Sequence, residues 1–329
     1  MKHQHSYISA TNVIKIFLSS ILILLILDFI GKKIISSNFF QSDNSVHNIF
    51  KKNKSDLIIF GSSTTARALD PDILDRKLGT NGYTFASDGT GIFYAVSLLR
   101  QIPQNEKLKY VIFGIDPLSF VSGYSSNNFK QIERLAPYAK KDPVLMNFLR
   151  IDDKWIDIKM ISLTYPYISQ FKEILKDKAR NFINNENYKN KKNFRALNGS
   201  LIKKSKQKEI KINFTNNENF LKISDEGIYV LELIKEQINK RNVKLVIITT
   251  PIYNTKLRSL QSKNKNIMMK IRSVLESENF CDLTNLENKK IKEISQDPVN
   301  FFDEPHLNSL GAEKFSIEIA KAISLDCKY

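Results

Sequence analysis

The sequence predicts an α/β fold: a three-layer sandwich around a central parallel sheet, with an N-terminal transmembrane helix and a largely helical insertion. Three patterns carry that expectation. Apolar runs at residues 57–60 (LIIF) and 110–115 (YVIFGI) alternate with stretches of helical spacing, and the rhythm returns at 244–249 (KLVIIT). Runs that are apolar throughout suit parallel strands covered on both faces. Residues 120–224 break the rhythm. Residues 13–30 (VIKIFLSSILILLILDFI) hold 14 apolar residues in 18.

The first segment, 1–35, reads as a short polar tail and a signal anchor. With its flanks the apolar run reaches the ~20 residues that span a bilayer as a helix. Lys15 and Asp28 lie near its ends, where charged groups reach the interfaces. No small-residue cleavage site follows; the next residues are Gly31-Lys32-Lys33, which favours an uncleaved anchor. The alternative is a buried helix of a soluble protein, but the hydrophobicity runs all round. Lys2 and Lys15 on one side compete with Lys32, Lys33, Lys51, Lys52 and Lys54 on the other, leaving orientation open.

Residues 36–55 read as a polar linker and 56–329 as the α/β domain. The first strand stops at Gly61, followed by Ser62-Ser63. Asp70 as N-cap and Pro71 at the first helical position open a helix to Leu78, closed by Gly79. A short strand at 82–86 leads into Ser87-Asp88-Gly89-Thr90-Gly91; residues 92–101 have helical spacing before the strand at 110–115.

The insertion at about 120–224 contains the single tryptophan, Trp155, and expected helices near 143–149 and 168–183. Residues 172–211 carry 13 Lys/Arg against 4 Asp/Glu. Such a tract is ordinarily a solvated face, with a lid or an anionic docking surface as the sharper reading. Beyond it, Ser224 or Asp225 caps a helix to about 241; a strand at 244–249, a long amphipathic helix at 257–278, a short strand at 280–283 and a last helix at 312–323 complete the chain.

Lys and Arg outnumber Asp and Glu by 50 to 34, a net charge of +16. No zinc-finger spacing or RNP-like aromatic motif accompanies it, so nucleic acid is not the expected partner; most of the excess reads as a solvated surface, with phospholipid or acidic polysaccharide as what it could face. Cys281 and Cys327 fit no metal or redox spacing, and are either two free thiols or one bridge.

The chemistry concentrates at the two ends of the domain. A buried strand ending in glycine and then serine presents a hydroxyl where α/β folds bind ligands. Asp303 and His306 stand three apart before the last helix, with Pro305 between them. A carboxylate on one imidazole nitrogen fixes the tautomer while the other nitrogen takes a serine proton. An isolated Asp-x-x-His is equally a helix cap beside a hydrogen-bonded loop histidine. Here serine, glycine and Asp-x-x-His follow in order on an α/β pattern.

Gly61-Ser62-Ser63, Gly89 and Asp303-Glu304-Pro305-His306-Leu307 resemble blocks I, II and V of the SGNH (GDSL-like) hydrolase superfamily. The resemblance spans residues 56 to about 324, interrupted by the insertion. It implies Ser63 as nucleophile, with Ser62 at the variable position, His306 as general base and then acid, and Asp303 as its orienting carboxylate. The backbone N–H groups of Ser63 and Gly89 are then the oxyanion hole. The family's third block is Gly-x-Asn-Asp; this chain has Gly114-Ile115-Asp116-Pro117, so the asparagine donor is missing. The family's usual first block is Gly-Asp-Ser, where this chain has Gly61-Ser62-Ser63; envelope-anchored members of the family are similar in carrying Gly-Ser-Ser and a degenerate third block.

What the resemblance and the anchor imply together is a single-pass cell-membrane protein with an extracytoplasmic catalytic domain. It is expected to be a serine acyltransferase or esterase acting on acyl, in particular acetyl, esters of a cell-envelope polysaccharide. Its expected partners are a carbohydrate polymer or acyl-ester substrate, the lipid bilayer through residues 13–30, and a membrane-bound acyl donor. No cofactor or metal is expected. Transfer and hydrolysis use the same triad and stay open. The alternative is a catalytically degenerate envelope assembly or interaction protein with the same fold.

Overall fold

The structure, a computed structural model, describes residues 10–41, 55–104, 108–120, 131–169, 223–253, 265–284 and 289–327. Among these, β1 (Leu57–Phe60), β2 (Gly82–Thr84), β3 (Tyr110–Gly114), β4 (Lys244–Ile248) and β5 (Phe280–Leu283) form one sheet in the order β2-β1-β3-β4-β5. Every neighbouring pair is parallel. Leu57 of β1 stands opposite Gly82 on one side and Tyr110 on the other. The strand order therefore reverses at β1/β3, and such a switch point opens a crevice outside the carboxyl ends of the strands.

Ten helices are used below: α1 (Ala10–Gln41), α2 (Ser63–Ala68), α3 (Pro71–Leu78), α4 (Ile92–Gln101), α5 (Pro143–Asp152), α6 (Ile156–Lys159), α7 (Asp225–Arg241), α8 (Lys265–Leu275), α9 (Lys289–Gln296) and α10 (Ser309–Ser324). The period-2 geometry of β1 sends Ile58 and Phe60 to one face and Leu57 and Ile59 to the other. On the first face they pack with α4, α5, α7 and α8, through residues such as Val96, Phe148, Ile234 and Ile271. On the second they meet α2, α3, α9 and α10, through Ala66, Leu74, Ile294 and Phe315. Helices on both faces make the three layers that the apolar strands predict.

Caps set the helix ends. The Asp70 carboxylate accepts from the Asp72 N–H at 3.0 Å, Pro71 occupies the first position and Gly79 adopts φ +65°. Ser224 caps α7 by accepting from the Gly227 N–H. The last helix begins at Ser309, three residues before the expected start. Asn308 is its cap, accepting from the Leu310 and Gly311 N–H groups. Gly311 is a poor helix former, which displaced the expectation; a Cβ there would stand 2.2 Å from the Asn300 carbonyl oxygen.

Helix α1 contains a stretch, Thr11–Ser36, long and apolar enough to cross a membrane, with an 18-residue window of mean hydropathy 2.6. The helix continues to Gln41, so the stretch read as linker from residue 36 starts helical; residues 42–54 lie outside the described residues. Helix α5 extends the expected 143–149 helix to Asp152. Its cap, Asp142, accepts from Arg100 Nε and Nη2 at 3.0 Å each, which fastens the insertion to α4. Most of the helix read at 168–183, the basic tract 172–211 and the first part of the 257–278 helix lie outside the described residues.

Cys281 of β5 and Cys327, just past α10, form a disulfide with Cα atoms 5.7 Å apart. The bond closes a 46-residue separation and ties the last helix to the sheet edge. Replacing both cysteines by serine is expected to remove about 2–4 kcal/mol of stability in urea unfolding of the full chain. An unchanged midpoint would mean the link constrains nothing.

Candidate active site

The site is built at the carboxyl end of β1. Gly61 has φ +151°, a backbone conformation that L side chains rarely adopt. It also leaves space: a Cβ there would lie 2.3 Å from Thr65 Oγ1, and one on Gly114, at the end of β3, would lie 1.8 Å from the same atom. Two strand-end glycines thus make the slot that buried Thr65 fills, and this seats α2 at the switch point. Ser63 is the first residue of α2, where backbone N–H groups have no intrahelical acceptor.

Asp303 and His306 come from a two-stranded antiparallel hairpin, β6 (Phe301–Asp303) and β7 (His306–Leu307), in which they stand opposite each other. Phe301 and Leu307 are buried in the second core and fix the hairpin against it. Asn308 Nδ2 donates to the Val299 and Phe301 carbonyls at 2.6 and 3.2 Å, and the Tyr253 N–H donates to the Glu304 carbonyl at the turn.

The three side chains meet in a line. Ser63 Oγ lies 2.9 Å from His306 Nε2, and His306 Nδ1 lies 2.6 Å from Asp303 Oδ1. An ionised carboxylate only accepts, so Nδ1 carries the proton and donates to Asp303; Nε2 then accepts from the Ser63 hydroxyl. Ser62 is not in the line: its hydroxyl pairs with Thr64 Oγ1 at 3.0 Å.

Gly89 lies in the turn after β2, with φ +72°. That turn is held to β1 through the Gly61 carbonyl, which accepts from the Ser87 N–H at 3.3 Å and the Thr90 hydroxyl at 2.8 Å. Among the described residues no backbone carbonyl accepts from the Gly89 N–H. Asp116, the residue that the resemblance sets at the asparagine position, is exposed beyond β3.

The structure adds a residue that the sequence reading missed. Arg67, one turn after Ser63 on α2, is buried, and its Nη2 reaches both carboxylate oxygens of Asp88 at 3.0 and 2.9 Å. It binds the nucleophile helix to the Gly89 turn. Gln131 Nε2 donates to the Asp88 carbonyl at 2.6 Å from the other side. Arg67 Nε is buried without a hydrogen-bond partner among the described residues. The pair is 21 residues apart, so no local motif announces it.

Burial lowers the pKa of His306 from its ordinary 6.5, and the charge of Arg67 lowers it further; Asp303 and Asp88 oppose the shift. The net direction keeps the imidazole neutral, the form that accepts a serine proton. Among the described residues, no group of three or more His, Cys, Asp or Glu side chains is placed to hold a metal ion. A cavity of about 490 Å³ lies between α9 and α10, lined in part by Lys290, Glu293, Asn300 and Lys314; Ser63, His306 and Asp303 do not line it. Ser63, His306 and Asp303 sit instead at the switch point, in an arrangement that can carry out covalent acyl chemistry. Comparison with known proteins finds no matching family model and no matching curated protein.

Proposed function

We propose that the chain is a membrane-anchored serine acyltransferase or esterase of the SGNH (GDSL-like) kind, acting on acyl, in particular acetyl, esters of a cell-envelope polysaccharide. The observation that carries this reading is the continuous line from Ser63 Oγ through His306 to Asp303, with separations of 2.9 and 2.6 Å. Ser63 Oγ attacks the ester carbonyl carbon as its proton passes to His306 Nε2. The carbon–oxygen bond to the leaving alcohol then breaks, and that oxygen takes the proton back from Nε2. The acyl group remains on Ser63. A sugar hydroxyl or a water attacks it, again giving its proton to His306, and Ser63 leaves with that proton. Asp303 stabilises the imidazolium in both halves.

The negative oxygen formed at each stage lies against the N–H groups of Ser63 and Gly89. Each donor of this kind is worth about 2.7–4 kcal/mol of barrier lowering. In place of the missing asparagine, the cationic Arg67 supplies positive charge beside the site. The anchor helix and the Cys281–Cys327 disulfide support an extracytoplasmic domain, since disulfides persist in oxidising compartments. A membrane-bound donor that hands an acyl group to Ser63 fits the anchor, and the polymer is its acceptor.

The test is labelling of the full chain in detergent by a fluorophosphonate, followed across pH. Neutral His306 is the reactive form, so labelling is lost as pH falls and the imidazole takes a proton. Because burial and Arg67 lower its pKa, the midpoint of loss is expected below 6.5. Arg67→Leu is expected to move it upward. The exposed Asp116 favours one competing reading, a degenerate assembly protein. A folded chain that never labels decides for it.

A further inference from the structure

Residues 151–161 carry an unusual surface. Ile151, Trp155, Ile158 and Ile161 expose 59%, 54%, 60% and 77% of their area. Trp155, Ile158 and Ile161, spaced three apart, lie along one face of α6 and its flanking turns, while Ile151 belongs to the last turn of α5, beyond the extended Asp153. Helix α6 and its flanking turns hold that backbone: the Lys159 N–H donates to the Trp155 carbonyl at 3.0 Å and the Met160 N–H to the Ile156 carbonyl at 2.8 Å. Single exposed apolar residues are ordinary; a contiguous cluster marks an interaction site.

What covers this cluster follows from its place beside α1. The Asp28 carboxylate accepts from the Ser162 hydroxyl at 2.7 Å, the Leu163 N–H at 2.6 Å and the Thr164 N–H at 3.0 Å. The Thr164 hydroxyl donates to the Asp28 carbonyl at 2.8 Å. One turn on, Thr164 packs on Gly31, where a Cβ would come within 3.0 Å of its Oγ1. Another turn on, Ile35 and Tyr167 are buried together. The segment 162–167 therefore runs along α1 in the direction from residue 28 to residue 35. On the other side of Asp28, α1 is apolar and exposed through Leu27. Ile161 adjoins Ser162, with Cα atoms about 3.8 Å apart.

We propose that Trp155, Ile158 and Ile161 insert into the leaflet that α1 enters, so that the protein holds the bilayer by a span and by a second, interfacial patch. This rests on reading α1 as a membrane span. The occupant is lipid because the patch continues the lipid-facing side of α1. Its composition agrees: the Lys154 ammonium lies 5.8 Å from the Trp155 ring centroid, and tryptophan and lysine are residues of the headgroup level. The Asp28 contact and the Arg100–Asp142 bonds then fix the α/β domain at one height and tilt over the membrane.

Trp155 is the only tryptophan, so its emission reports the patch directly. The full chain is reconstituted in phosphatidylcholine–phosphatidylglycerol vesicles. The expected emission is blue-shifted, loses most of its intensity when the lipids are brominated on the upper acyl chain, and resists acrylamide. Replacing both exposed isoleucines, Ile158→Glu with Ile161→Glu, is expected to restore a water-like spectrum while α1 keeps the protein in the membrane. Quenching by acrylamide but not by bromine overturns the proposal. Resistance to both also overturns it, since a second copy or another protein surface then covers the ring. Alkaline carbonate extraction reads the anchor separately: release into the supernatant refutes the span, whatever the tryptophan reports.

Discussion

Ser63→Ala is expected to remove fluorophosphonate labelling completely and to lower turnover of an aryl acetate by about a millionfold. Loss of the serine or the histidine of such a triad costs nearly as much as loss of all three members, because they act as a unit. The residue left behind retains the backbone donors and the binding surface, so some acceleration over water survives. The substitution leaves the fold intact. Ser63 begins α2, its hydroxyl bonds His306, and Thr65 rather than Ser63 fills the slot between Gly61 and Gly114. Ser62→Ala is the control: among the described residues that hydroxyl pairs with Thr64 Oγ1 and stands outside the line to His306, so labelling is expected to persist at the wild-type rate within about a factor of a few. If Ser62→Ala abolishes labelling and Ser63→Ala does not, the nucleophile has been placed on the wrong serine.

Much of this arrangement is legible in the sequence because the decisive signals are local. An apolar run that stops at Gly61, an Asp70-Pro71 cap and an Asp-x-x-His before the last helix each declare themselves within a few residues. The order of the triad along the chain is legible for the same reason, since each member ends or adjoins a recognisable element. What stayed hidden depends on pairs distant in sequence. Arg67 and Asp88 meet across the β1–β2 unit, and Asp28 accepts from residues 162–164, more than 130 positions away. Asp28 reads as a charge near the end of an apolar helix, when its carboxylate is a docking acceptor for the insertion. Helix α2 is six residues long and its Ser62 N-cap makes no side-chain capping bond to the backbone, so neither periodicity nor capping announces it. Gly311 misplaces the start of α10 because propensity disfavours it, whereas the Asn300 carbonyl leaves no room for a side chain. The two cysteines could not be paired from spacing, because only the fold brings β5 beside the end of α10.

Asp303→Asn is expected to lower kcat about ten-thousandfold while KM for the same ester changes little. The asparagine is nearly the same shape, so the β6–β7 hairpin and the His306 ring stay where they are. The hydrogen-bond logic does not. Asp303 accepts from His306 Nδ1 at 2.6 Å, which leaves Nε2 free to take the Ser63 proton. An asparagine that turns its amide NH2 toward Nδ1 donates instead, and the imidazole then carries its proton on Nε2, facing Ser63. A base with its proton on the wrong nitrogen cannot deprotonate the nucleophile; loss of that tautomer control costs about 10⁴ in the serine proteases. The variant also loses the negative charge that stabilises the imidazolium. With Asp303 gone, burial and Arg67 act on His306 with less opposition, so its pKa falls further and the acid limb of the rate profile moves to lower pH. A merely structural role predicts the opposite pattern: lowered thermal stability, a changed KM and an unshifted pH limb. Retention of activity within about tenfold would remove Asp303 from the mechanism and leave Ser63 and His306 as a dyad.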